Sequence, residues 1–336
     1  MRDTGFDIRN TGYGICVIIF LLAGCVTAPD NRPAWLFNPQ ELYPRNEYLS
    51  AVGEGDSRRA AENSATAGLA RIFESSIEAN ELLSETAHET EKTLDRISEL
   101  RTDVRIRSSQ DLLNVQFGET FTDHNGRIHV AAFIPRAETA EIIHQRIRQN
   151  SDDVLNLTQR SDQAAGPLEA YALRRAAVRK ALENDRLLAQ LDIITPGYRP
   201  ALPYALPTLT SETAAAAQKI TFSVMLPDEA GGALREALTN MRFVESSPAI
   251  LNFSGSATVE KTDLRRDPLV FVRFRYQIEA RTSNGDLILS ISDSHREGHI
   301  NFEQATDRAH RNLRSEILTQ IPRKLSEVFN RLASPR

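Results

Sequence analysis

The feature that most constrains this chain is a short apolar run near its start, because it decides where everything after it must fold. Met1 to Asn10 is polar and carries Arg2 and Arg9. Ile15-Cys16-Val17-Ile18-Ile19-Phe20-Leu21-Leu22 is apolar, and Ala23-Gly24-Cys25 follows. A polar head, an apolar centre and small residues before a cut form the three-part plan of a secretory signal. A helix crossing the hydrocarbon core needs roughly 20 apolar residues, so the run is too short to serve as a permanent span. The folded protein is therefore expected downstream of Gly24, outside the cytoplasm.

Leu22-Ala23-Gly24-Cys25 resembles the lipobox of bacterial lipoproteins, in which small residues fit the signal peptidase and the cysteine thiol takes a diacylglycerol. The resemblance implies cleavage before Cys25 and membrane lipid as a partner through that acylated residue. The cysteine count agrees. Cys16 leaves with the signal, so Cys25 is the one thiol of the mature chain and no intramolecular disulfide can form. Acylation removes a thiol that would otherwise mispair in an oxidising compartment. One acyl chain binds a membrane only reversibly, and stable anchoring needs more than one. Val26 stands where many diderm bacteria place Asp to retain a lipoprotein at the inner membrane, so the outer membrane is expected, on its periplasmic or surface face.

The rest of the chain is long enough for two hydrophobic cores at about 100 to 150 residues per domain. Hydrophobic residues make up 41% and charged residues 25%, as in ordinary folded domains. The net charge of −5 is unaffected by cleavage, because Asp3 and Asp7 cancel Arg2 and Arg9. A mildly acidic chain lacks the basic footprint that nucleic-acid binding relies on.

The expected organisation is a signal over 1–24, a lipidated tether over 25–33, an α/β domain with trailing helices over 34–195, a Pro-rich linker over 196–216 and a second α/β domain over 217–336. Each domain reads as a mostly antiparallel sheet with helices on one face. In the first, Tyr48 to Gly53 is a strand and Gly53-Glu54-Gly55 a turn. Asp56 or Ser57 can cap a helix whose stripe is Ala61, Ala65, Leu69, Ile72, Phe73 and Ile77. Glu78 to Leu100 is polar and helix-prone. Strands are expected over Val104–Ser108, Leu112–Phe121 and Arg127–Ile134, the last two joined by the hairpin signal Asn125-Gly126. Helices follow over Ala137–Gln149 and Pro167–Leu191. Tyr198 to Pro207 carries three prolines and should be extended. In the second domain, Ile220, Phe222, Val224 and Leu226 alternate as a strand, and Ala233 to Met241 marks a helix. Further strands are expected over Ala249–Glu260, Val270–Ala280 and Leu287–Ser292, and a helix over Phe302–Leu332 that Pro322 should kink.

Pro33-Ala34-Trp35, then Tyr48-Leu49-Ser50-Ala51-Val52-Gly53-Glu54-Gly55 with the alanine-rich helix after it, and Gly126 to Arg136 ending in Ile-Pro-Arg, together resemble the Lpp-twenty lipoprotein family. The resemblance covers roughly the first half of the mature chain. It implies a membrane-associated bacterial lipoprotein with a small α/β domain, and it brings no catalytic residues.

Patterns that carry chemistry fall short of their full forms. Gly53-Glu54-Gly55 lacks the third glycine of a dinucleotide loop, with Arg58 in its place, and no P-loop lysine follows. His295 and His299 bracket Arg296-Glu297-Gly298, but the metalloprotease pattern needs Glu next to the first His on a helix. His124 and His129 flank a hairpin turn and are expected to be exposed. There is no G-x-S-x-G elbow, and acylated Cys25 is no nucleophile. Neither a metal nor a cofactor is expected. Trp35 is a candidate partner contact, or else a plug on its own core. The expectation is a non-catalytic envelope lipoprotein with a structural, assembly or binding role toward a protein or peptidoglycan-linked partner. The alternatives are a lipid-anchored hydrolase whose site spacing cannot reveal, and an oligomeric ring or channel component assembled through the long terminal helix.

Overall fold

The computed structural model describes residues 32–85 and 112–334. The signal, the lipobox, Cys25 and the strand expected over Val104–Ser108 lie outside the described residues. The expected mixed α/β class holds, with two sheets and, among the described residues, six α-helices. The first sheet is antiparallel, in the order β1 (Tyr48–Gly55), β3 (Ile128–Pro135), β2 (Gln116–Thr122). The second is mixed, in the order β5 (Val244–Glu245), β4 (Thr221–Met225), β6 (Leu251–Arg266), β7 (Leu269–Thr282), β8 (Leu287–His299). Its three long strands pair antiparallel, while β4 runs parallel to both β5 and β6. Parallel pairing requires a crossover, and helix α5 (Asp228–Asn240) supplies it after β4.

Gly53 and Gly55 lie within β1, and the turn falls at Asp56-Ser57. The reason is close packing. A Cβ on Gly53 would meet the Ala65 nitrogen at 2.0 Å and the Ala61 oxygen at 2.4 Å, so strand and helix α1 (Arg58–Glu85) touch backbone to backbone. Ser57 is the cap, its Oγ accepting from the Ala60 N–H at 3.2 Å. Ala65, Leu69 and Phe73 then bury their side chains with Ala132 and Ile134 of β3. The α-helices pack on one face of this sheet, as expected, and the segment before β1 covers the other. Trp35, on a single-turn 3₁₀ helix, and Tyr43, just after a second one, pack over Ala131 and Phe133 on that side.

Helix α2 (Arg136–Asp162) outruns its expected end at Gln149, and helix α3 (Pro167–Ile194) returns against it. The N-terminal half of α3 buries Tyr171, Leu173 and Ala176 in the core of the second sheet. Its C-terminal half buries Leu187, Leu188, Leu191 and Ile194 in the core of the first. Arg136 donates from Nη1 to the Ile193 and Ile194 carbonyls at 2.7 and 2.8 Å, satisfying acceptors that a helix C-terminus leaves open.

The segment expected as linker is extended only to Ala205. Leu206–Gln218 forms helix α4, with Pro207 in its first turn, where a missing N–H costs nothing. Leu209 packs with Val154, Ala177 and Ala181, and Tyr204 accepts a hydrogen bond from buried Asn184 at 2.9 Å. The stretch is thus built into the body and is no free tether.

Helix α6 (Phe302–Ala333) continues unbroken through Pro322. Its buried residues include Ala305, Ala309, Leu313, Ile317, Ile321, Leu325, Phe329 and Ala333, a strict four-residue spacing. Four residues exceed one turn of 3.6 by about 40°, so the buried line winds round the helix along its length. The early part meets the sheet and the late part meets α3, where Tyr171, Phe243 and Phe329 form edge-on ring pairs. The stripe is buried within its own chain, which removes it as a surface for assembling a ring.

The β1–α1 contact predicts that Gly53→Ala destabilises the protein by about 1–3 kcal/mol, the usual cost of overpacking. Gly232→Ala in α5, where an added methyl meets nothing within 4 Å, should be neutral or raise stability by up to about 1 kcal/mol. Urea unfolding of both variants checks the pair, and an equal effect of the two substitutions would contradict the packing assigned to Gly53.

Candidate functional site

Inward-facing positions of a strand alternate, and those of β8 change character halfway along. Leu289 and Ile291 are buried against α6, and the same face continues as Asp293, His295, Glu297 and His299. Apolar residues belong at such positions, so a row of four titratable side chains departs from the expected pattern. The neighbouring row on β7 stays apolar or aromatic. Val272 pairs with Glu297, Phe274 with His295 and Tyr276 with Asp293.

Helix α6 answers the polar row with its own. Arg308, Asn312, Glu316 and Gln320 each precede a member of the buried line by one residue, so they form a parallel line on the flank that faces β8. Asn312 donates to Glu297 Oε1 at 2.6 Å, and Arg308 Nε lies 3.0 Å from Glu297 Oε2. One turn further on, Glu316 Oε1 lies 3.7 Å from His295 Nε2, which is also 3.1 Å from Asp293 Oδ2. The Tyr276 hydroxyl donates to Glu316 Oε2 at 3.4 Å. The His295 ring stacks on Phe274 with centroids 5.2 Å apart and planes inclined by 28°. Phe274, His295, Glu297, Asn312 and Glu316 line a cleft of about 210 Å³ together with Ser315, Thr319 and Gln320, and Asp293, Tyr276 and Arg308 contact these side chains from beside it.

The electrostatics follow from this crowding. Burial, then the charges of Glu316 and Asp293, push the Tyr276 phenol up to about 12. Asp293 is held below the usual carboxylate range by the Ser294 N–H, which donates to its Oδ1 at 2.7 Å, and by the His295 ring beside it. The cluster therefore sets a protonated phenol at Tyr276 and an ionised carboxylate at Asp293 on either side of the His295 imidazole.

Of the residues singled out in the sequence, His295 belongs to this cluster and His299 sits further along the same row. Both lie within β8, which runs past its expected end at Ser292. Asp293, Glu316 and Tyr276 carry no motif. Asp293 alone of these is marked, by the period-2 run Asp293-Ser294-His295-Arg296-Glu297-Gly298-His299, whose carboxylates and imidazoles share one face. Trp35 is 5% exposed, so its indole closes its own core and offers no surface to a partner. His124 is exposed, but the His129 side chain is only 12% exposed and lies 3.4 Å from Asp123 Oδ2, which corrects its expected exposure. Gly53 and Gly55 face α1, so that turn offers an anion no cradle. Among the described residues no helix is long and apolar enough to cross a membrane.

No family model and no curated protein matches the chain. Among solved structures, it is similar to the secreted protein HP1454 from the human pathogen Helicobacter pylori, over 81% of this chain and 98% of that one, with 11% sequence identity and a TM-score of 0.41. At that TM-score the likeness carries no functional argument.

Tyr276 supplies a direct check of the cleft. In chelator-treated buffer, the difference between ultraviolet titrations of the wild type and Tyr276→Phe should place this phenol near 12, and Glu316→Gln should lower it. The unfolded tyrosine releases its proton near 10 while the folded one holds it, so this group's contribution to stability is intact below about pH 10 and declines as pH rises toward 12. A phenol titrating near 10 in both backgrounds would contradict the geometry.

Proposed function

We propose that the chain is a bacterial envelope lipoprotein, cut before Cys25 and held at the outer membrane by acyl groups on that residue. Its two sheets then present binding surfaces to a protein or peptidoglycan-linked partner in a non-catalytic structural or assembly role. The observation that carries the reading is Leu22-Ala23-Gly24-Cys25 at the end of an eight-residue apolar run. Ten residues separate Cys25 from Trp35, a reach of at most about 36 Å, so the first sheet is the membrane-proximal part of the fold. Phe37 and Leu42 are 66% and 49% exposed beside it, apolar side chains suited to the headgroup boundary. The residues that resemble the Lpp-twenty family support the same reading, since they form the β1–α1 contact and the β3–α2 junction of that sheet.

A lipid-anchored hydrolase is the second reading, and the titratable cleft between β8 and α6 is the observation that favours it. The size of that cleft supports the non-catalytic reading. At about 210 Å³ the cleft falls below the roughly 300–1,000 Å³ of most small-molecule sites, and Arg308 and Asn312 already engage Glu297.

Expression of the full chain beside Cys25→Ser in a lipoprotein-processing bacterium tests the anchor by intact mass and membrane partitioning. The wild type alone should lose residues 1–24, gain the mass of acyl groups and sediment with membranes. Equal mass and equal solubility of the two proteins would overturn the proposal.

A further inference from the structure

We propose that Asp293, His295 and Glu316 form a binding site for one divalent transition-metal ion of the Zn²⁺ class, clipping edge strand β8 to helix α6. Nothing in the envelope reading assigns such a site, and the inference stands apart from the lipid anchor.

The geometry carries it. One donor atom from each of the three side chains lies within 4.8 Å of the other two, and among the described residues this is the one set of three or more His, Cys, Asp or Glu that converges so. His295 Nε2 is 3.1 Å from Asp293 Oδ2 and 3.7 Å from Glu316 Oε1. Ligands about 2.0–2.2 Å from a tetrahedral ion stand about 3.4 Å apart, and these two separations bracket that value. Asp293 and His295 are two apart on one strand face, and Glu316 comes from the facing helix, so the three approach from two elements. His295 Nε2 is shielded from solvent and, despite its two carboxylate neighbours, makes no hydrogen bond of acceptable alignment. With its proton on Nδ1, the ring offers Nε2 as a ligand beside the two carboxylate oxygens.

The surroundings fit the same ion. One imidazole with two carboxylates and no thiolate is a donor set for Zn²⁺ or its first-row neighbours, rather than for Ca²⁺, which takes six to eight oxygens. Tyr276 donates to the second oxygen of Glu316, the outer-shell contact that orients a ligating carboxylate, and Phe274 fixes the plane of the imidazole by stacking. Glu297 is held off by Asn312 and Arg308. The cleft lined by His295 and Glu316 has room for a water as a further ligand.

Zinc titration of the full chain by calorimetry, with X-ray absorption on the loaded protein, tests the site. One equivalent should bind, with a shell of nitrogen and oxygen at about 2.0–2.1 Å and no sulfur, so that the Cys25 thiol takes no part. His295→Gln and Asp293→Asn should each weaken binding by more than the roughly 10- to 100-fold that losing an outer partner costs, and Tyr276→Phe should fall within that range. His129→Gln, which alters the histidine between Asp123 and Glu54, should leave affinity unchanged. Far-UV circular dichroism of each variant separates lost ligation from lost folding. Absence of stoichiometric binding by the wild type, a sulfur ligand, or binding that survives His295→Gln in folded protein overturns the proposal.

Discussion

Helix α3 is the constraint on which the rest depends. Its 28 residues extend about 42 Å at 1.5 Å per residue, and its two halves are buried in different hydrophobic cores. Neither sheet closes its core without it. The helix has contacts at every level. Pro167 starts it, Asn184 in the middle donates to the Ile147 carbonyl, Ser151 and Tyr204, and Arg136 closes its end through two carbonyls. Because Asn184 is fully buried, losing those partners would leave an amide unsatisfied in the interior, at about 1–3 kcal/mol. Arg136 also donates to the Arg45 carbonyl, so one guanidinium ties the entry to β1 to the end of α3.

Against that well-packed frame, the polar row of β8 is the local exception. β8 is an edge strand, and inward-pointing charges on an edge discourage pairing with another chain. That role accounts for charge at one or two positions. It does not account for the convergence of Asp293 and His295 on Glu316, or for the matching line of polar residues on α6. Structures that otherwise agree at every level break their own pattern chiefly at functional sites, and this cleft is where the second sheet does so.

Much of the frame was legible in the sequence, because its signals are periodic and local. Alternation gave β7, Asn125-Gly126 gave the β2–β3 turn, where Gly126 has φ +79°, and four-residue spacing gave α6. What stayed hidden depends on tertiary contacts. The helix expected to end at Gln149 runs on to Asp162, because Ser151 and Val154 are buried against neighbouring helices. Three prolines suggested an extended linker, but Pro207 occupies the one helical turn that tolerates it. β8 appeared to end at Ser292 because its apolar alternation ends there, and the polar half that follows is the candidate site itself. Spacing alone could not bring Glu316 to His295, since their approach requires the turn after β8 and the packing of α6 over β7.

The claim that one helix welds two cores into one folding unit is tested most directly by scanning calorimetry of the wild type beside Leu173→Ala and Leu191→Ala. Leu173 is buried in the core of the second sheet and Leu191 in that of the first. The account predicts a single transition whose calorimetric and van't Hoff enthalpies agree, lowered as a whole by either variant, each costing about 2–5 kcal/mol. Two separable transitions, each moved by only one of the substitutions, would contradict it.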